Sequence, residues 1–384
     1  MKPKLAISIF VFSLISFVSC RKSPEGAAIQ ITSLNPEIDT IYLSLSPFDQ
    51  ATSYKFDTIG LNNGFLHFDT AINEPHSGVI ICPEMFLKLD DGREILDRSK
   101  AIEFFLYPNE NLDIEASINS NITEYFLKGK ELNQQHNSYW QIIKELRTEE
   151  SDLMFKYENL FLSSTATSIM FSEIEMRMGE INAEIKEKRM KFIQDHPDFE
   201  YSAFLLLQCP KDTIKKYYGR LNEATLELPF GEILKSKIDT WMLISKGNIS
   251  PEIEYQTLQG ETFRSNEFRG KYLVLDFWGS WCAPCIDGIP KMKEYYSAYK
   301  EQVEFVGIAC RDQRENLEPL IKKLGIDWIQ ILNKTGENDL STLFAIEGYP
   351  TKIIINPEGK IEGIFLGESE EFYLALDEYL SQTL

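Results

Sequence analysis

The sequence predicts an α/β C-terminal domain, a mixed sheet with helices on both faces, preceded by a small β-sandwich and a helical region. Three observations carry that prediction. From Pro251 onward, short apolar runs alternate with amphipathic stretches of helical length, as in strands joined by helices. Residues 27–128 hold short segments that alternate apolar and polar side chains between turn residues. Residues 129–247 place apolar residues three and four apart among charges.

The elements follow in chain order. "MKPKLAISIFVFSLISFVSC" begins with Lys2 and Lys4, and Leu5–Val18 is free of charge. That run is too short for a comfortable membrane span and suits a signal peptide over residues 1–20. Small Ser19 and then Cys20 close it. This resembles a bacterial lipobox, whose cysteine is diacylated and becomes the new N-terminus; Phe17 departs from the usual Leu. Residues 21–26 read as a short tether. In the β-rich domain, 27–128, "DTIYLSLS" and "GFLHFDT" alternate, and "AIEFFLYPNENLDIEAS" reads as two strands joined by a Pro-Asn turn. A small antiparallel sandwich is expected. His67 and His76 lack metal-ligand spacing and read as surface residues.

The helical region, 129–247, contains "ELNQQHNSYWQIIKELRTEE" and "EIEMRMGEINAEIKEKRMKFIQDHP", the second ended by His196-Pro197. "YSAFLLLQ" reads as a buried helix. Met170, Met176, Met178 and Met190 read as core filler. Gly247 and Pro251 punctuate a boundary, and the last domain, 248–384, opens with a hairpin in "YQTLQGETF". A buried strand, "KYLVLDFWG", precedes a helix over 283–300 that contains Pro290. Strand "VEFVGIAC", helix "RENLEPLIKKLG" stopped by Gly325, strand "DWIQIL" and short helix "DLSTLFAI" follow. "YPTKIIINPEGKIEGIFLG" reads as a hairpin, and "ESEEFYLALDEYLSQTL" as an amphipathic closing helix.

Composition narrows the function. The 384 residues are 43% hydrophobic and 26% charged, the balance of a folded protein. The net charge of −20 argues against non-specific nucleic-acid binding, which needs basic surface. The acidity is spread along the chain and reads as solvated surface.

The chemistry concentrates in "FWGSWCAPC", residues 277–285. Cys282 is placed between a strand end and a helix start, where unsatisfied N–H groups and the helix dipole favour a thiolate. Cys285 falls in the first helical turn, in reach of a mixed disulfide on Cys282, and Pro284 restricts the backbone between them. This arrangement suits two-step thiol–disulfide exchange. Zinc is the rival for such a pair, but it needs four ligands; Cys82, Cys209 and Cys310 stand apart, and no His follows His196. A purely structural disulfide is the other alternative, though so short a loop removes little unfolded-state entropy. The redox reading implies no metal and no cofactor beyond a Cys282–Cys285 disulfide. A Cys82–Cys209 bridge stays open, since sequence gives no Cα separations.

"VLDFWGSWCAPC" closely resembles the active-site signature of the thioredoxin family. Pro290 matches that family's helix-kinking proline, and "GYPT" resembles its cis-proline loop, with Tyr349 before Pro350. The insertion between Cys310 and Pro350 resembles that of TlpA-type, membrane-tethered thiol–disulfide reductases. The resemblance covers about residues 248–384 and implies a thioredoxin-like fold there. It makes Cys282 the attacking and Cys285 the resolving cysteine, with Asp276 a buried carboxylate that relays a proton to or from Cys285. It puts Tyr349, Pro350, Trp281 and Pro284 at the substrate-contact surface; taken alone, Trp278 and Trp281 read as packing residues. One departure is Gly288, where cytochrome-c-maturation relatives often carry an acidic residue. More loosely, "QDHPDFEYSAFLLL" and the β-rich start resemble lipoproteins of Gram-negative bacteria.

The expected function is an exported, lipid-anchored thiol–disulfide oxidoreductase, acting as a reductase in the cell envelope and facing the periplasm. Its expected partners are exported proteins with disulfides, an upstream thiol–disulfide electron donor, and the membrane through lipid on Cys20. A peroxiredoxin-like peroxidase is one alternative, but "DFWGSWCAPC" lacks that class's Pro-x-x-x-Thr/Ser-x-x-Cys frame. A non-enzymatic binding lipoprotein is the other.

Overall fold

The computed structural model describes residues 26–32, 38–50, 55–97, 100–118, 123–163, 166–336 and 338–381. The expected signal peptide, Cys20 and residues 21–25 lie outside these. The chain divides into two compact units at Gly231/Glu232, ahead of the 247/248 boundary expected from the sequence. The β-rich and helical stretches share the first unit.

The first unit carries strands β1 Gly26–Thr32, β2 Thr40–Pro47, β3 Asp57–Gly60, β4 Leu66–Ala71, β5 His76–Ile81, β6 Phe86–Lys88, β7 Glu94–Leu96, β8 Ile102–Leu106, β9 Asn111–Ile118 and β10 Thr123–Lys128. Among the described residues they form two four-stranded sheets, β10-β9-β1-β4 and β3-β2-β5-β8, and the small ribbon β6-β7. Strand alternation turns Ile29, Ile31, Leu112 and Ile114 of one sheet and Ile41, Leu43, Ile80 and Phe104 of the other into a shared core. The expected all-antiparallel sandwich needs correcting, because β1 and β9 pair in parallel. The reason lies at "LYPNEN". Its turn signal is real, but it carries the chain from β8 in one sheet to β9 in the other, so β9 arrives beside β1 running the same way. A turn motif fixes a local change of direction and not the partner of the next strand.

Helices α1 Glu131–Leu162, α2 Ser168–Asp195, α3 Glu200–Leu207, α4 Lys211–Tyr217 and α5 Glu223–Leu226 follow, and α6 Pro229–Leu243 begins at the end of this unit. Two asparagines one turn apart dock α1. The Asn133 amide receives a hydrogen bond from the Phe105 N–H and donates one to the Phe105 carbonyl, and Asn137 does the same to Leu127. Phe105 and Leu127 lie on the edge strands of the two sheets, so side-chain amides replace the missing ladder partners. In α2 the buried stripe is Ile181, Ile185, Phe192 and Ile193. Met170 and Met176 were expected in the core, yet they are 40% and 64% exposed; periodicity marks an apolar face without saying how much of it is covered.

The second unit holds the hairpin β11 Glu254–Gln256 and β12 Thr262–Arg264, then β13 Tyr272–Trp278, α7 Ala283–Tyr299, β14 Val303–Ala309, α8 Arg314–Leu324, β15 Ile329–Leu332, α9 Leu340–Leu343, β16 Thr351–Ile355, β17 Ile361–Leu366 and α10 Glu370–Ser381. Its five-stranded sheet has the order β15-β14-β13-β16-β17. β13, β14 and β15 run parallel, and β16 and β17 antiparallel to their neighbours, giving the expected mixed sheet. On central β13, Val274 and Trp278 pack with residues of α7 and α10, whereas Leu273, Leu275 and Phe277 pack on the opposite face with Leu340 and Phe344. The period of two therefore puts Asp276 on the α7 and α10 side.

Candidate active site

The site forms where β13 ends and α7 begins. Cys282 is the residue that caps α7, and its sulfur accepts the Cys285 N–H at 3.3 Å. That contact satisfies one of the helix's unpaired donors and sets the sulfur at the positive end of the helix dipole. Cys282 and Cys285 form a disulfide with Cα atoms 5.3 Å apart. Cys285 shares the buried face of α7 with Gly288, Ile289 and Met292, so Cys282 is the one at the helix tip.

Two loops make the rim. Trp281, placed at the substrate-contact surface by the resemblance though it reads as packing when taken alone, is 51% exposed and stands edge-on to Tyr349, with ring centroids 5.3 Å apart. Its indole N–H donates to the Cys310 carbonyl at 3.0 Å, and it lies so close to Gly279 that a Cβ there would sit 2.5 Å from the indole nitrogen. Asp312 pins the turn by accepting the Ser280 N–H and hydroxyl at 2.6 and 2.9 Å. The Tyr349-Pro350 bond is cis, and the Arg311 guanidinium lies 5.9 Å from the Tyr349 ring centroid. Trp281 and Pro284 are exposed, Tyr349 is half-buried, and Pro350 is buried.

Asp276 is 3% exposed, and burial pushes its carboxyl above the ordinary range; nearby Lys352 opposes that rise and Glu368 adds to it. Asp276 pairs in register with Lys352 across β13 and β16. Lys352, 1% exposed, brings its ammonium 3.5 Å from Asp276 Oδ1, which accepts no direct hydrogen bond, and 2.6 Å from Glu368. The sequence reading missed Lys352, Glu368, Asp312 and Arg311. A signal for Lys352 was present: "LVLDFW" and "PTKIII" each embed one charge in an apolar strand, and opposite charges so placed are a cross-strand pair.

The remaining described thiols are free. Burial pushes Cys310 up to about 11 and Cys82 up to about 12, which keeps both protonated and slow to react. Cys82 and Cys209 do not pair. Among the described residues no three His, Cys, Asp or Glu side chains are grouped to hold a metal.

A family model described as thioredoxin-like matches residues 270–361. The thiol-disulfide oxidoreductase ResA of Halalkalibacterium halodurans is 31% identical over 163 residues, which is 42% of this chain and 92% of that protein. The ResA of Geobacillus thermodenitrificans is 27% identical over 125 residues, 32% of this chain and 71% of that one. Among solved structures, a thiol-disulfide oxidoreductase from Bacteroides fragilis is 31% identical and covers 36% of this chain and 100% of its own, at a TM-score of 0.31.

Proposed function

This chain belongs to the thioredoxin family of thiol–disulfide oxidoreductases, and from that premise we propose an exported, lipid-anchored reductase of protein disulfides. The observation that carries the reading is Cys282 at the tip of α7, its sulfur accepting the Cys285 N–H, beside a rim of Trp281, Tyr349 and cis-Pro350. In the reducing direction, the Cys282 thiolate attacks one sulfur of a substrate disulfide and the other sulfur leaves as a thiolate. Cys285 then gives its proton to Asp276 and attacks the Cys282 sulfur, which releases the second substrate thiolate. Two electrons reach the substrate and the chain is left as the disulfide. An upstream thiol–disulfide donor returns it to the dithiol.

Trp281, Pro284 and the Tyr349-Pro350 loop are the proposed substrate contacts. A proline without an N–H leaves its neighbours to pair with an extended segment. Exported proteins bearing disulfides are the proposed substrates. Reduction is the direction implied by the resemblance of 248–384 to membrane-tethered reductases. No helix among the described residues is long and apolar enough to cross a membrane. The proposed attachment is by lipid on Cys20, which closes the apolar run of residues 5–18.

The test is trapping. In Cys285→Ser, Cys282 still attacks but nothing in the chain resolves the adduct, so partners accumulate as mixed disulfides through Cys282, and mass spectrometry names them. Adducts on Cys82, Cys209 or Cys310, or none at all, would overturn the assignment. Fractionating Cys20→Ser tests the anchor; unchanged membrane association rejects it.

A further inference from the structure

Lys352 lies in a strand where each of the five residues is buried. A lysine there costs several kcal/mol of desolvation unless its charge is matched. Two carboxylates match it, Asp276 at 3.5 Å and Glu368 at 2.6 Å. Glu368 comes from the segment between β17 and α10, its side chain is 23% exposed, and its other oxygen accepts the Tyr373 hydroxyl at 2.6 Å. The seat of this carboxylate is the α7 backbone at Gly288, one helical turn beyond Cys285. A Cβ on residue 288 would stand 2.3 Å from Glu368 Oε2. Gly288 is therefore the vacancy that admits a carboxylate from another element to the α7 face carrying Cys285. The cluster runs unbroken from Asp276, fully enclosed, through Lys352 to Glu368, which alone of the three reaches solvent.

We propose that Lys352 and Glu368 are positioning residues for disulfide exchange: the Lys352 bridge and the Glu368 carboxylate seated on Gly288 control proton movement between Asp276 and solvent at the Cys285 step. The inference rests on Asp276 accepting the Cys285 proton, as in the proposed function. The charge logic makes it specific. When Asp276 takes the proton, Lys352 keeps one carboxylate partner, Glu368, and stays paired; when the proton leaves, Lys352 bridges two. The charged and titratable groups that act on Asp276 are Lys352 of β16, Glu368 ahead of α10 and Tyr373 of α10, and Cys285 lies on the buried face of α7. Lys291 of α7 stands next, 4.2 Å from the Tyr373 ring centroid and 2.6 Å from Glu370.

The experiment uses the full chain, reduced and mixed with Ellman's reagent from pH 5 to 9. The first equivalent of coloured thiol reports attack by Cys282 and the second reports resolution by Cys285. Lys352→Met removes the cation that favours ionised Asp276, so the pH midpoint of the second phase moves up. Glu368→Gln removes a repelling carboxylate, so the midpoint moves down. Gly288→Ala expels Glu368 and follows Glu368→Gln, and combining the two adds nothing further. Resolution at the wild-type midpoint changes by about threefold or more in each case, slower in the first and faster in the others. A structural role predicts loss of folded protein with an unmoved midpoint. If Asp276→Asn abolishes the pH dependence while Glu368→Gln and Gly288→Ala leave the midpoint in place, this inference fails and the proposed function stands. If Asp276→Asn keeps the wild-type profile, the Asp276 assignment itself fails. Should Lys352→Met not fold, the Glu368 and Gly288 variants decide the matter.

Discussion

Each unit buries a titratable side chain, and the two are neutralised in different ways. In the first unit His136 is 3% exposed and lies between two tyrosine hydroxyls, Tyr125 at 2.7 Å and Tyr201 at 2.9 Å. Burial pushes it down to about 3, so it is neutral at working pH. Neutral partners make a site that is fully hydrogen-bonded and inert. In the second unit Asp276 is equally enclosed, but its partners are charges and one of its oxygens accepts no direct hydrogen bond. Its charged partners act on its proton in opposite directions, Lys352 favouring the ionised carboxyl and Glu368 the protonated one. Buried polarity holds structure in one region and is proposed to serve chemistry in the other.

The largest effect that tests this contrast is complete loss of exchange. Cys282→Ser is expected to abolish insulin reduction with a chemical donor, while Cys82→Ser and Cys310→Ser, equally buried, keep wild-type turnover. Loss in either of the latter would mean that the inert set is drawn wrongly. Next comes His136→Leu, which orphans two buried hydroxyls and costs about 2–4 kcal/mol. Denaturation followed by amide exchange in α1 and β10 should show that loss, with the rate of insulin reduction unchanged. Asn133→Leu should cost about 1–3 kcal/mol, because it uncovers the Phe105 edge and removes a weaker contact to Glu110. Wild-type protection at Phe105 in that variant would show that the amide clamp contributes nothing.

The same contrast explains what the sequence reveals. The mixed sheet of 248–384 was legible because each strand from "KYLVLDFWG" to the final hairpin carries its own pattern, and the cysteine pair sits at a strand–helix junction that local rules locate; that the fold is thioredoxin-like came from the family resemblance. The cis Tyr349-Pro350 bond came from the family resemblance and is present. The seat of Glu368 was not legible, since it depends on a vacancy at Gly288, eighty residues earlier in the chain, and no local rule links the two. In the first unit β2, β4, β8 and β9 were legible as strands, but the parallel β1–β9 pairing was not, because a crossover and a hairpin share turn residues. Asn133, His136 and Asn137 carry no local signal that separates them from other polar helix positions. Only the fold reveals that this stripe faces inward onto strand edges.

The smallest effect per step is the pH dependence of stability, and it should differ in sign between the two sites. His136 has its folded pKa depressed from 6.5 to about 3, so between those values the unfolded chain binds a proton that the folded unit does not. Stability is therefore present above the ordinary histidine pKa and is lost as pH falls, by about 1.4 kcal/mol for each unit inside the window. Asp276 is raised above the carboxylate range, so its folded form holds a proton that the unfolded chain releases, and its contribution falls as pH rises through that interval. Acidification from pH 7 to 4.5 should then weaken amide protection around α1 and β10 and leave His136→Gln, which cannot titrate, less affected. Across the same range, protection around β13 and β16 should fall less in the wild type than in Asp276→Asn. Equal sensitivity of wild type and His136→Gln in the first unit would mean that His136 is already charged in the fold, and the distinction between an inert and a poised site would lose its first half.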